Sequence, residues 1–261
     1  MAATPAPVRV LEWNIAVYKR LWRANLVTSF LQPLLYLLGI GIGVGSLVNR
    51  NASSTDVLGG VTYAQFLAPG LLATTAMMVS STESTWPVLD GFKWRRYYTA
   101  MTSTPIEVAD IVFGHLIWLA FRLVIACSAV AVAMSVVPQT RSMGLVLAVP
   151  AAVLCGLSVG MPTTAWAATR EVDTAFAAFQ RFVIIPLFLF AGAFYPISQL
   201  PEWVRWLAYL TPVWHGVELC RGATLHDLST AAALGHFAYM AAWTVAGTLV
   251  AMPIFRRRLL T

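Results

Sequence analysis

The sequence predicts an all-α integral membrane protein with six transmembrane helices, all within one domain covering residues 1–261. Three observations predict it: composition, long charge-free runs, and the uneven placement of basic residues. Of the 261 residues, 59% are hydrophobic and 11% are charged. A soluble domain carries about 25% charged residues, and one of this length cannot hide so much apolar surface. Disorder needs the opposite composition. Three cysteines in so long a chain do not make a secreted disulfide scaffold.

Charges are absent over 24–49, 57–82, 142–169, 182–201 and 228–255. A sixth apolar stretch, 111–137, is interrupted only by His115 and Arg122. Each run is long enough to cross a bilayer as a helix, which takes about 20 residues, whereas barrel strands alternate over about 10. The six spans are expected near 27–48, 64–83, 110–137, 143–168, 182–198 and 231–254. Residues 1–26 precede them, and 255–261 form a basic tail.

Met1 to Arg23 contains Pro5 and Pro7 and lacks a compact apolar core with a small-residue cleavage site, so no cleavable signal peptide is expected. Leu11, Ile15, Tyr18 and Trp22 share one helical face, with Glu12, Lys19 and Arg23 off it. This pattern suits an interfacial helix, with an irregular tail as the alternative.

Six spans place both termini on one side. That side receives Arg9, Lys19, Arg20, Arg23, Lys93, Arg95, Arg96, Arg170, Arg181, Arg256, Arg257 and Arg258. The other receives Arg50, Arg141, Arg205 and Arg221. Cytoplasmic loops hold the excess of Lys and Arg, so both termini are expected in the cytoplasm, in a cytoplasmic (inner) membrane. The basic balance then reflects topology, and no nucleic-acid partner is expected.

Two connections are more than loops. Between the second and third spans, Asp90, Lys93, Arg95 and Arg96 lie among Trp86, Phe92, Trp94, Tyr97 and Tyr98. Such a segment either anchors at the headgroups or presents its mixed surface to a soluble partner. Between the fifth and sixth spans, residues 199–230 stay apolar with Pro breaks, as short re-entrant helices do.

Catalytic chemistry is missing from the sequence. There is no G-x-x-x-x-G-K-[ST], so the chain has no P-loop for ATP, and no metal motif or nucleophile elbow occurs. No catalytic, cofactor-binding or metal-ligating residue is assigned. Cys127, Cys155 and Cys220 read as small buried apolar residues. Gly39/Gly43 and Gly41/Gly45 overlap as G-x-x-x-G pairs in the first span, and Gly156/Gly160 repeats the spacing. They serve close helix packing, within the chain or between subunits. His115 and Arg122 share a helix face, and Glu107 and Asp110 are their candidate partners. This polar cluster reads as structural ahead of a proton relay. Met77, Met78, Phe188, Phe190, Phe194 and Tyr195 face either a lipophilic substrate or lipid.

Three stretches resemble the permease subunits of ABC-2 type exporters. Glu83 to Gly114, with Thr104-Pro105 followed by Glu107, is similar to the family's cytoplasmic segment ending before the third span. Its Ser84-Thr85-Trp86-Pro87 stands where the family often has a Gly-Thr pair. Ala191-Gly192-Ala193-Phe194-Tyr195-Pro196, then Leu200-Pro201, Trp203, Pro212 and Arg221, resembles the C-terminal signature. The run 33–43 is similar to the branch holding the nodulation lipo-oligosaccharide exporter permeases, to which the daunorubicin-resistance permeases are a related branch. The resemblance implies a transport subunit that is not an enzyme. It pairs with a second permease subunit, as a homodimer or heterodimer, and with two copies of an ATPase that bind ATP and Mg. It implies a cytoplasmic coupling helix near 87–103, with Asp90, Phe92, Lys93, Arg95 and Arg96 on the ATPase. A second contact is implied at Arg170, Glu171 and Asp173, and spans one, two and five would line the pathway. The expected substrate is a lipophilic drug, glycolipid or lipid-linked saccharide. A proton-driven secondary transporter and a membrane-embedded transferase are the alternatives.

Overall fold

The computed structural model describes residues 5–19, 31, 34–50 and 58–260. Arg20, Trp22, Arg23 and the beginning of the expected first span lie outside the described residues, as does Pro33. Among the described residues the chain is helical, without strands.

The first helix, α1, is Ala6–Tyr18, entered through Pro5 and Pro7, whose missing N–H groups are harmless in a first turn. It packs against α6 (Val108–Val136). Helix α2, Leu34–Val48, contains a π-helical stretch, Leu37–Val44. Helix α3, Tyr63–Glu83, starts at a capping box in which Thr62 and Gln65 satisfy each other's backbone N–H groups. Next come α4, Trp86–Leu89, a π-turn over Asp90–Trp94, and α5, Tyr97–Thr102. Helix α6 is followed by α7, Leu145–Ala167, and α8, Thr174–Phe190. Two short helices, α9 (Glu202–Tyr209) and α10 (Pro212–Leu225), lead into α11, Thr230–Leu260.

Helix α7 is the axis of the bundle. It touches α11, α3, α10 and α6. Small residues permit this: Gly156 lies against Leu123 of α6 and Ala76 of α3, and Gly160 against Ser80 and Leu119. The Gly156/Gly160 pair is thus spent inside the chain. The first-span glycines divide. Gly41 and Gly45 face Leu67 and Tyr63 of α3, whereas among the described residues Gly39 meets nothing and Gly43 meets no other helix.

Among the described residues, three helices are long and apolar enough to cross a membrane by length and composition: α6, α7 and α11. Their starts fall within two residues of the expected 110, 143 and 231. Helix α3 has 21 residues and is largely buried inside the bundle. Helices α2 and α8 are shorter apolar helices.

Two boundaries differ from expectation. The fifth helix was expected at 182–198, after Arg181, but it begins at Thr174 with Arg181 inside it and ends at Phe190. It ends there because the chain turns at Gly192, whose φ of +80° a side chain would strain. The expected tail is also helical up to Leu260, since α11 carries Phe255 into the core and Arg258 onto the α7 terminus.

Candidate functional site

The chemistry-bearing side chains gather at three levels of the bundle. At the α5 end, the π-turn brings Arg95 back onto Asp90. Arg95 Nε donates to Asp90 Oδ2 at 2.6 Å, and its terminal nitrogen reaches the same oxygen. That bond raises the proton affinity of the Arg95 guanidinium, against a smaller effect of burial. Arg96 then adopts a left-handed conformation, φ 51°, which reverses the chain into α5. Tyr97 donates to the Pro87 carbonyl at 2.9 Å, and burial pushes its phenol up to about 12.

This fold sorts the expected contact residues. Phe92 is buried, with rings of Tyr98 and Phe255 at 5.0 and 4.8 Å and the Arg258 guanidinium over its face at 4.5 Å. Trp94, Lys93, Arg95 and Arg96 are exposed. Trp94, 53% exposed, is the free ring of the turn. The loop after α7 joins the same surface. Lys93 Nζ donates to the Glu171 carbonyl oxygen at 2.7 Å and lies 3.5 Å from its carboxylate. Arg258 pairs with that carboxylate at 3.0 Å and caps the Ala168 carbonyl at 2.6 Å. Arg170 lies over Trp166, and Asp173 is exposed. Lys93 and Glu171 therefore stand on one continuous face, fastened by the end of α11, with Asp173 exposed two residues beyond.

The second level lies inside the bundle, and here the expected polar cluster separates. Glu107 and Asp110 cap the start of α6, Asp110 Oδ2 accepting from the Glu107 N–H at 2.9 Å. His115 bonds Thr164 of α7 at 3.1 Å. Arg122 pairs with neither acid. It donates to Glu83 Oε1 at 2.8 Å and lies over the Tyr18 ring at 4.5 Å. The reason is helical rise: at about 1.5 Å per residue, the twelve positions from Asp110 put Arg122 about 18 Å further along α6. Sequence reasoning missed Glu83 as a site residue. The signal was there: it is the first charge after the run 57–82, at the end of α3.

The third level is the face shared by α2, α8 and the 191–196 turn. Phe188 stands between Tyr36 and Phe194, ring centroids 6.2 and 4.9 Å apart. Phe190 is exposed nearby in sequence, and Tyr195 and Met78 are half-buried. Met77 is wholly enclosed in the core, so it presents no surface to a substrate. The turn itself is pinned. Tyr63 Oη donates to the Phe194 carbonyl at 3.0 Å, Arg221 Nη2 to the Gly192 carbonyl at 2.8 Å, and Ala193 packs on Gly70. Arg221, half-buried, stacked on Phe66 at 3.9 Å and paired with Glu218 at 2.7 Å, holds it.

A cleft of about 640 Å³ opens where α6 begins and α11 ends. Glu107 and Arg256 line it among Ile106, Val108, Met252 and Leu260. Among the described residues no group of three or more His, Cys, Asp or Glu is placed to hold a metal ion.

The ABC-2 type transporter family profile matches residues 9–225. Nodulation protein J of Rhizobium leguminosarum bv. trifolii is 31% identical over 270 residues, covering 99% of this chain and 98% of that protein. The same protein of R. leguminosarum bv. viciae is 29% identical over 269 residues, covering 100% of both. That of Rhizobium meliloti is 29% identical over 267 residues, covering 100% and 98%.

Proposed function

Because the chain belongs to the ABC-2 type transporter family, we propose that it is the permease subunit of an ATP-driven exporter in the cytoplasmic membrane, with six spans and both termini inside. It has no P-loop, so the ATP chemistry belongs to a separate ATPase subunit, which binds ATP and Mg. The observation that carries the reading is the joined face of Lys93, Trp94, Arg95, Arg96, Glu171 and Asp173. It pairs an exposed ring with charges of both signs, which suits a soluble protein partner.

Force applied to this face has a route inward. Trp13 of α1 meets Tyr97 at 4.3 Å, and Tyr18 of the same helix lies on Arg122. Arg122 in turn holds Glu83 at the end of α3. Movement of the π-turn therefore reaches α3 and α6 together. A second copy of the chain suits the side of α2 where Gly39 and Gly43 meet no other helix among the described residues and Leu35, Ile42 and Leu47 are exposed.

The substrate class is amphiphilic: a lipophilic drug, glycolipid or lipid-linked saccharide. The cleft at the α6 start supports this, offering one carboxylate and one guanidinium over apolar walls. Tyr36, Phe188, Phe194 and Phe190 supply an aromatic path toward the 191–196 turn. A proton-driven carrier fits less well, because Arg122 is already paired with Glu83. The test is hydrolysis of ATP by the chain reconstituted with its P-loop partner. Stimulation by amphiphiles that Phe188→Ala alters selectively supports the reading, and hydrolysis indifferent to every amphiphile refutes it.

A further inference from the structure

His215 of α10 and His236 of α11 face each other with 2.8 Å between their Nδ1 atoms. His215 Nε2 is 3.0 Å from the Tyr209 carbonyl oxygen. A carbonyl oxygen only accepts, so that nitrogen carries a hydrogen. In a neutral His215 ring, Nδ1 is then a bare acceptor, and His236 Nδ1 must supply the hydrogen between them. His236 Nε2 is left bare, without a hydrogen-bond partner among the described residues.

The surroundings hold both rings in place. Tyr239 lies flat on His215 at 4.0 Å, and its hydroxyl donates to the Leu210 carbonyl at 2.7 Å. Trp214 stands edge-on to both imidazoles. Among the described residues the charged and titratable neighbours are Tyr209 from α9, Glu218 and Arg221 from α10, and Tyr239 from α11. Glu218 is within electrostatic reach of His236, and Arg221 pairs with it. Helix α7, packed on both α10 and α11, offers only the buried Cys155, beside Gly216.

We propose that His215 and His236 form a proton-binding latch, which holds α9 and α10 against α11 and releases them when both rings are protonated. The latch rests on the exporter reading only for the compartment it senses, the outside.

The proton count sets its behaviour. The first proton lands on His236 Nε2 and leaves the bond intact, with Glu218 near the new charge. The second must land on His215 Nδ1, the acceptor itself. Two N–H groups then oppose each other and two cations sit in rings 5.0 Å apart. Burial holds His215 below the ordinary imidazole value; the Tyr209 carbonyl opposes this and His236 adds to it. The latched state therefore binds fewer protons than the open one, so it weakens as pH falls below about 6.5. Release is felt at the turn, because Trp214 lies beside Gly192 and Arg221 holds the Gly192 carbonyl.

The test is a spin-label distance between Leu207→Cys on α9 and Leu234→Cys on α11, both exposed, in the full chain in lipid nanodiscs. The native cysteines are all buried. The latch predicts a distance distribution that lengthens and broadens as pH falls from about 8 to about 5, with a midpoint below about 6.5. His236→Asn places an amide where Nδ1 was. It donates to a neutral His215 or turns its oxygen to accept from a protonated one, so its distribution stays at the high-pH form throughout. His236→Ala shows the open form at every pH. An invariant wild-type distribution, or the same titration in His236→Asn, overturns the latch. Neither ATPase nor substrate is needed, so that failure leaves the exporter reading untouched. In sealed proteoliposomes, a response to acid on the side of Thr99 would keep the latch and refute the topology instead.

Discussion

Lys93 and Glu171 meet across 78 positions of sequence, the ammonium donating to the backbone carbonyl at 2.7 Å and pairing with the carboxylate at 3.5 Å. The bond joins the π-turn after α3 to the loop after α7. The proposed ATPase contact is therefore one surface rather than two separate patches.

On that surface burial separates two rings. Phe92→Ala removes a ring packed on Tyr98, Phe255 and Arg258, so unfolding stability should fall by about 3–5 kcal/mol. Trp94→Ala removes an exposed ring and should leave the melting temperature nearly unchanged, yet weaken ATPase binding by at least tenfold. Thermal unfolding and titration with the purified ATPase read the two effects. Equal losses of stability in both variants would contradict the assignment.

Arg122 is buried and its partner Glu83 half-buried, and a second guanidinium nitrogen, Nη1, is buried without a hydrogen-bond partner among the described residues. Removing one member leaves an uncompensated charge. Glu83→Gln and Arg122→Met should each destabilise the fold by about 3–5 kcal/mol, and the two combined should cost less than the sum of the singles. Denaturant melts in detergent give the comparison. Strict additivity would show that the pair does not act as one.

Glycine substitutions separate packing inside the chain from packing between copies. Gly41→Leu collides with Leu37 and Leu67 and should lower the yield of folded protein. A Cβ at Gly43 meets no other helix among the described residues, so Gly43→Leu should fold normally while shifting a dimer toward monomer. Cross-linking in native membranes measures the second effect; unchanged cross-linking would place the subunit contact elsewhere.

Topology is open to labelling. Gln139 and Thr99 are exposed at opposite ends of α6. Gln139→Cys should react with an impermeant thiol reagent in intact cells, and Thr99→Cys only after permeabilisation. The reverse pattern overturns the inside placement of the termini.

Much of this architecture was legible because membrane helices announce themselves by the absence of charge. Helices α6, α7 and α11 begin within three residues of the starts of the apolar stretches at 111, 142 and 228. The same rule misplaced α8, since Arg181 sits inside that helix on an exposed face, and a rule that counts charges ends the span there. It also could not see that Gly192 stops the helix by backbone geometry. At the site, residue types were readable but their partners were not. Arg122 was visible as an intramembrane cation. Its bond to Glu83 spans 39 positions and depends on how α3 and α6 align, which no local pattern encodes. Phe92 and Trp94, two residues apart and chemically alike, differ only because the π-turn points one of them into the core.

The central claim is that this chain works through a separate ATPase docked on the Lys93–Glu171 face. Its most direct test is purification of the tagged chain from native membranes, with the stoichiometry of any P-loop ATPase read by quantitative mass spectrometry. The account predicts one ATPase per chain, lost at moderate salt when Trp94→Ala, Arg95→Glu and Arg96→Glu are combined in a chain that still folds. A folded chain that transports without any P-loop ATPase, or equal ATPase recovery from the combined variant, would contradict it.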